Sequence, residues 1–175
     1  MNGNPINARV IPSLFTLGNL LFGFLALVLT MDGKFRVAAG LIILSALMDS
    51  MDGKVARKLS VSSDFGKELD SLSDLVSFGV APAILTYRAL LQDQLGYWGM
   101  LLAAIFALCG AVRLARFNVL NISTYFVGVP ITFAGGFMAL LLLFHGLVPW
   151  PVYSICLAVL AFLMVSTFKV PKLGK

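Results

Sequence analysis

Six stretches of this chain are apolar for long enough, roughly 17–25 residues, to cross a bilayer as helices. They run over about 12–30, 37–54, 69–91, 97–117, 127–147 and 151–168 of 175 residues. The runs are continuous, whereas a membrane strand would alternate. With 59% hydrophobic and 12% charged residues, the chain departs from a soluble domain, which is about half apolar and a quarter charged. Disordered, collagenous, disulfide-framework and ordinary soluble folds are thereby excluded. The length suits one domain over residues 1–175. Cys109 and Cys156 sit in apolar runs without metal-type spacing and read as reduced fillers.

The breaks between runs carry turn chemistry: Asp32-Gly33, the polar stretch from Gln92 to Gly96, the connection from Asn118 to Tyr125, and His145-Gly146 with Pro149-Trp150-Pro151. If the N-terminus lies inside, ten of the thirteen Lys and Arg residues fall on the inner face; Lys34, Arg36 and Arg88 fall outside. The positive-inside rule then places both termini in the cytoplasm. Trp98 and Trp150 fall at the outer interface, where aromatic belts form, and His145 lies at the same face. Because the positive charge sorts by membrane face, it points to anionic lipid head groups or phosphates and not to nucleic acid. The expected fold is an all-α integral membrane bundle of six transmembrane helices.

Against this background the acidic residues are misplaced. Six of the eight, Asp49, Asp52, Asp64, Glu68, Asp70 and Asp74, fall within 26 residues. Four of them lie in or at the inner ends of the second and third runs. A carboxylate at the bilayer centre costs on the order of 3 kcal/mol, and four together also repel one another, so cations should sit among them. Asp49, Asp52 and Ala56 share one helix face at i, i+3 and i+7; Gly66, Asp70 and Asp74 share another at i, i+4 and i+8. The two helices are antiparallel, so these faces converge. Four convergent carboxylates with no Cys or His nearby form a hard-oxygen site for Mg²⁺, Mn²⁺ or Ca²⁺, and zinc is disfavoured. Gly53, Ala56 and Gly66 either let the helices pack closely or leave room for a ligand. Lys54, Arg57 and Lys58 either obey topology or bind phosphate. Ser71, Ser73 and Ser77 are expected to bond carbonyls one turn back, Gly79 and Pro82 to kink the third helix, and Gly135-Gly136 to serve packing or bending of the fifth.

In order, these residues spell Asp49-x-x-Asp52-Gly53-x-x-Ala56-Arg57, eight residues, then Gly66-x-x-x-Asp70-x-x-x-Asp74. The pattern resembles the signature of the CDP-alcohol phosphotransferase family, and the six-helix layout resembles the family core. The stretch from Asp70 to Ala83 resembles the third helix of the phosphatidylserine-forming branch. Arg113-Leu-Ala-Arg116-Phe-Asn118 is similar to a second stretch typical of that branch, and the segment with Thr16 and Asn19 to its opening, although Ser13 stands where Asn is usual.

The resemblance implies transfer of the phosphatidyl group of CDP-diacylglycerol to the hydroxyl of L-serine, releasing CMP, at the cytoplasmic face of the cell membrane. It implies one or two divalent cations, Mg²⁺ or Mn²⁺ with Ca²⁺ as a further candidate, on Asp49, Asp52, Asp70 and Asp74. Asp74 takes the role of general base. Asn19, Asp52, Gly53, Ala56, Arg57, Gly66 and Asp70 are implied to contact CDP, and Arg113, Arg116 and Asn118 the serine or a phosphate. A homodimer surrounded by membrane lipids is implied as well. Sister enzymes using glycerol phosphate or an inositol phosphate share the aspartate signature. A divalent-cation transporter would share the composition, but it would place its carboxylates at mid-membrane in broken, repeat-related helices.

Overall fold

The computed structural model describes residues 5–59, 63–120, 125–167 and 169–171; side chains at 5–12, 52, 55–59, 120, 125–127 and 169–171 are not among the described atoms. Six helices stand among these residues. They are α1 (Pro5–Met31), α2 (Phe35–Leu59), α3 (Asp64–Leu95), α4 (Tyr97–Leu120), α5 (Ile131–Leu143) and α6 (Trp150–Val165). A three-residue antiparallel pair joins β1 (Tyr125–Val127) to β2 (Lys169–Pro171), with Phe126 facing Val170, and an isolated bridge joins His145 to Val148. Among the described residues, three helices are long and apolar enough to cross a membrane: Ser13–Met31, Asp64–Leu95 and Tyr97–Val119. The 25-residue α2 carries Asp49, Asp52, Lys54, Arg57 and Lys58 in its second half. The apolar α5 and α6 have 13 and 16 residues. At about 1.5 Å per residue they fall short of a hydrocarbon core of about 30 Å.

The turns follow local chemistry. Gly33, with φ +73°, lets its own N–H reach the Thr30 carbonyl at 3.1 Å and that of Lys34 reach Leu29 at 2.9 Å, closing α1. Gly96, with φ +53°, is the whole break between α3 and α4; the polar residues from Gln92 before it remain helical. Ser63 caps α3 by accepting the Gly66 N–H at 3.0 Å. The third helix therefore starts five residues before the expected position. The fifth starts four residues after it, because Gly128 adopts φ +72° and Pro130 forms its N-cap, while residues 125–127 pair with the chain beyond α6.

The core is built where α3 passes through the bundle. Ile42 of α2, Phe78 and Leu85 of α3, Phe106 of α4, Met138 of α5 and Tyr153 of α6 are all fully buried. Large apolar side chains such as Phe24, Leu108 and Phe162 are exposed on the outside of the bundle, as expected of a surface wetted by lipid tails. Instead of a simple kink at Gly79 and Pro82, α3 widens into a π-turn over Leu75–Val80, where the Ala81 N–H reaches Val76, five residues back. Pro82 has no N–H to give, and a widened turn upstream absorbs the lost donor.

Two glycines press neighbouring helices onto that π-turn. A Cβ on Gly23 of α1 would lie 2.9 Å from Ser77 Cα, and one on Gly135 of α5 would lie 2.6 Å from Phe78 Cα. A Cβ on Gly136 would meet nothing within 4 Å. Overpacking against backbone costs about 1–3 kcal/mol. Gly135→Ala should therefore lower the thermal unfolding midpoint in detergent, while Gly136→Ala, one residue on, should leave it unchanged or slightly higher. Equal midpoints for the two variants would refute the close approach at Gly135.

Candidate active site

Three carboxylates converge as the spacing predicts. Asp49 from α2 and Asp70 and Asp74 from α3 each place an oxygen within 4.8 Å of the others. Asp74 is buried, and Asp49 and Asp70 are half-buried. The Thr132 hydroxyl at the start of α5 hydrogen-bonds Asp49. Oxygens sharing one cation can be no further apart than twice the bond length, about 4.2 Å for Mg²⁺ and about 4.8 Å for Ca²⁺ at bonds near 2.1 and 2.4 Å. The three oxygens fall within the separation that a shared Ca²⁺ allows, and their all-oxygen donor set suits a hard divalent cation. The residues present therefore fit the metal. Asp52, the expected fourth ligand, follows Asp49 by three residues on α2, but its side chain lies outside the described atoms, as do those of Ala56 and Arg57.

Asn19 lies behind the cluster. It is fully buried in α1, and its Nδ2 donates to Asp74 Oδ1 at 3.1 Å. Its backbone carbonyl accepts both the Ser45 hydroxyl of α2 and the Ser77 hydroxyl of α3, each at 3.0 Å. One peptide unit thus ties three helices together beneath Asp74. Ser77 does not bond one turn back, as expected of it; Ser73 does, to the Leu69 carbonyl at 2.8 Å. The Asn19 Nδ2 is directed at Asp74, and its buried Oδ1 has no hydrogen-bond partner among the described residues.

In front of the cluster lies a cavity of about 430 Å³, whose wall includes Glu68, Asp70, Ser71, Asp74, Arg113 and Asn118. Arg113 of α4 interacts electrostatically with Asp74, and its guanidinium carbon stands 5.8 Å from the centre of the Phe117 ring. Its Nε is buried and finds no acceptor among the described residues. Arg116, one turn on, donates to the Val165 carbonyl at 3.0 Å, at the end of α6 where carbonyls lack helical donors. The two arginines of the expected acceptor site therefore part: one meets the cavity, the other pins α6. Asn118 does meet the cavity. Its Nδ2 donates to Ser71 Oγ at 3.0 Å and approaches the Glu68 carboxylate at 3.4 and 3.5 Å.

Gly66 belongs to the capped first turn of α3, where a Cβ would lie 3.1 Å from Ser63 Oγ; a Cβ on Gly53 would meet nothing within 4 Å. Sequence reasoning assigned no role to Glu68 or Thr132, and none beyond a helix-internal bond to Ser71. For the α3 pair the signal existed: 64, 68, 71 and 74 recur at four and three residues, so one side of α3 carries polar groups from its cap to Asp74.

A family model described as CDP-alcohol phosphatidyltransferase matches residues 9–168. The chain is similar to a CDP-diacylglycerol–serine O-phosphatidyltransferase of Methanocaldococcus jannaschii, at 45% identity over 159 residues, covering 90% of this chain and 71% of the relative. It is similar to the enzyme of the same name from Bacillus subtilis, at 39% over 170 residues, covering 94% and 92%. An archaetidylserine synthase of Methanothermobacter thermautotrophicus is 43% identical over 138 residues, 77% of this chain and 58% of the relative. The aspartate signature, the helices that carry it and these matches over most of the chain agree, and the chain belongs to the CDP-alcohol phosphatidyltransferase family.

Proposed function

We propose that this chain is a CDP-diacylglycerol–serine O-phosphatidyltransferase, joining the phosphatidyl group of CDP-diacylglycerol to the hydroxyl of L-serine with release of CMP. The observation that carries the reading is one cavity walled by two of three clustered carboxylates on one side and by Arg113 on the other. A lipid donor needs its acyl chains in the bilayer and its charged head in a polar recess among helices, where a soluble amino acid can reach it. The exposed apolar flanks and the inner cavity supply both.

Asp49, Asp70 and Asp74, with Asp52 on the same helix as Asp49, hold Mg²⁺ or Mn²⁺, two ions per site, with Ca²⁺ as an alternative occupant. When bound, the metal neutralises the donor pyrophosphate and the developing charge on CMP. Asp74 holds the proton that leaves the serine hydroxyl, and the Asn19 amide keeps the Asp74 carboxylate aimed into the cavity. Arg113 pairs with the serine carboxylate or with the donor phosphate beside it, and Asn118 lends a polar contact. Gly53, Ala56, Arg57 and Gly66, with Asp52 and Asp70, border the CDP moiety. The six helices cross the membrane with both termini in the cytoplasm, supported by the ten-to-three distribution of Lys and Arg. The active site then faces the cytoplasm, and the protein works as a homodimer in the cell membrane.

An acceptor screen tests the reading. CMP release from CDP-diacylglycerol should depend on L-serine; dependence on glycerol phosphate or an inositol phosphate instead would reassign the acceptor. Removing a positioned base costs about 10²–10⁴-fold in rate. Turnover of Asp74→Asn in saturating Mg²⁺ or Mn²⁺ should fall by that much, and near wild-type turnover would sink its role as base. Lys lacks the bidentate fork of Arg. Arg113→Lys should therefore raise the KM for serine or donor roughly ten- to hundredfold, the loss of one charge-assisted hydrogen bond. Arg116→Lys should change neither by more than a few fold, since a lysine can still reach the Val165 carbonyl. Equal effects in the two lysine variants would contradict the split between the arginines.

A further inference from the structure

Beyond Asp70, Asp74 and Arg113, the cavity wall carries Glu68 with Ser71 and Asn118, further toward the N-terminal end of α3 and beside Asp64 and Lys67; Glu68 has been given no role. Glu68 lies six residues before Asp74, a rise of roughly 9 Å along the helix. Its side chain is exposed and its polar neighbour is the Asn118 amide at 3.4 and 3.5 Å. Among the described residues, no Lys, Arg or His nitrogen comes within 4.0 Å of it; the adjacent Lys67 turns to Asp64 instead, at 3.4 Å. The cavity thus presents an anion that the described residues leave uncompensated. The same wall carries, on α4, a guanidinium whose buried Nε has no acceptor among the described residues.

A site with an unbalanced carboxylate at one end and, beside Asp74, a guanidinium with an unpartnered Nε is complementary to a dipolar ion. It suits neither a simple anion nor a neutral alcohol. Resting on the serine acceptor proposed above, we infer that Glu68 is the specificity-determining residue that receives the ammonium group of the acceptor, with Ser71 and Asn118 holding its carboxylate in place. The acceptor then spans three groups: its hydroxyl at Asp74, its carboxylate at Arg113 and its ammonium at Glu68. The same carboxylate repels acceptors whose head is a phosphate dianion. A free amino alcohol acid is thereby preferred to phosphorylated alcohols, which share the rest of the chemistry. Because Glu68 is exposed, water screens the attraction. The expected loss lies between that of a charge-assisted hydrogen bond and that of an exposed ion pair, roughly five- to tenfold in affinity.

The test uses the whole enzyme in detergent with saturating CDP-diacylglycerol and Mg²⁺ or Mn²⁺. Glu68→Gln keeps the shape of the side chain and removes its charge. Two acceptors are compared: L-serine and 3-hydroxypropionate, which is serine without its ammonium group. The variant should raise the KM for L-serine roughly five- to tenfold. Its kcat, its KM for donor and its metal requirement should stay near wild type. The preference for L-serine over 3-hydroxypropionate in kcat/KM should shrink by the same factor, and Glu68→Asp should recover part of it. A serine KM within twofold of wild type overturns the inference. So does an equal loss with both acceptors, or a change in metal requirement in place of serine KM. If the wild-type enzyme does not use serine at all, the acceptor reading falls and this inference with it. If it does use serine and Glu68→Gln matches it, the inference falls alone.

Discussion

Three carboxylates with oxygens within 4.8 Å of one another repel strongly. At an effective dielectric constant of about 20, each ionised pair at that distance costs upward of roughly 3 kcal/mol. A helical bundle can hold such a cluster only by fixing the backbone beneath it and by giving the charges partners. Both devices are visible. The fixing is done at the Asn19 peptide, whose carbonyl takes hydroxyls from α2 and α3, and whose side-chain amide takes an oxygen of Asp74. The partners are Thr132 at Asp49, Arg113 across from Asp74 and, when bound, a divalent cation. Each partner comes from a different helix, so the cluster depends on the bundle closing as a whole.

That dependence explains where the tightest packing falls. Ser77 must reach Asn19 from α3, and it sits in the π-turn over Leu75–Val80, immediately after Asp74. Gly23 on α1 and Gly135 on α5 let their helices meet that turn at backbone contact, at the fully buried Phe78 and its neighbour. A π-turn shifts the helical phase of everything beyond it by one residue. Upstream of it, α3 aims polar groups into the cavity; downstream, it aims Leu85 into the core. The irregular turn thus separates the chemical half of α3 from the structural half.

How much of this could be read in advance depended on how local the signal was. The helices were legible because a continuous apolar run is a property of the residues themselves. The fifth was misjudged at its start: 125–127 pair with 169–171, a contact no local pattern announces. Yet Gly128 and Pro130 were local signals for the true start. The convergence of Asp49, Asp70 and Asp74 followed from spacing alone, because two antiparallel helices leave little choice about which faces meet. Arg113 and Arg116 could not be told apart. They stand three positions apart, so only about 60° of helix rotation separates them, and what lies on each side is decided by where α6 ends. The resemblance implies Asn19 beside CDP; that its Nδ2 also reaches Asp74 depends on how α1 packs against α3, which no local pattern announces.

On the function proposed, one fold can serve several acceptors. The aspartates, Asn19 and the glycines that clamp the π-turn lie at or behind the carboxylate cluster. On the proposed reading, changing any of them disturbs the metal, the donor or the bundle itself. Glu68, Ser71 and Asn118 lie toward the N-terminal end of α3 and the C-terminal end of α4, at the outer part of the cavity wall, and they bond chiefly to one another. A substitution there costs little packing, because Glu68 is exposed and Asn118 lies near the end of the described part of α4. On the proposed reading, acceptor choice can therefore vary on a wall that carries little of the fold, while the chemistry of the donor stays fixed on the wall that carries most of it. This division between an adaptable outer wall and a constrained inner one follows from burying the charge cluster where the most helices meet.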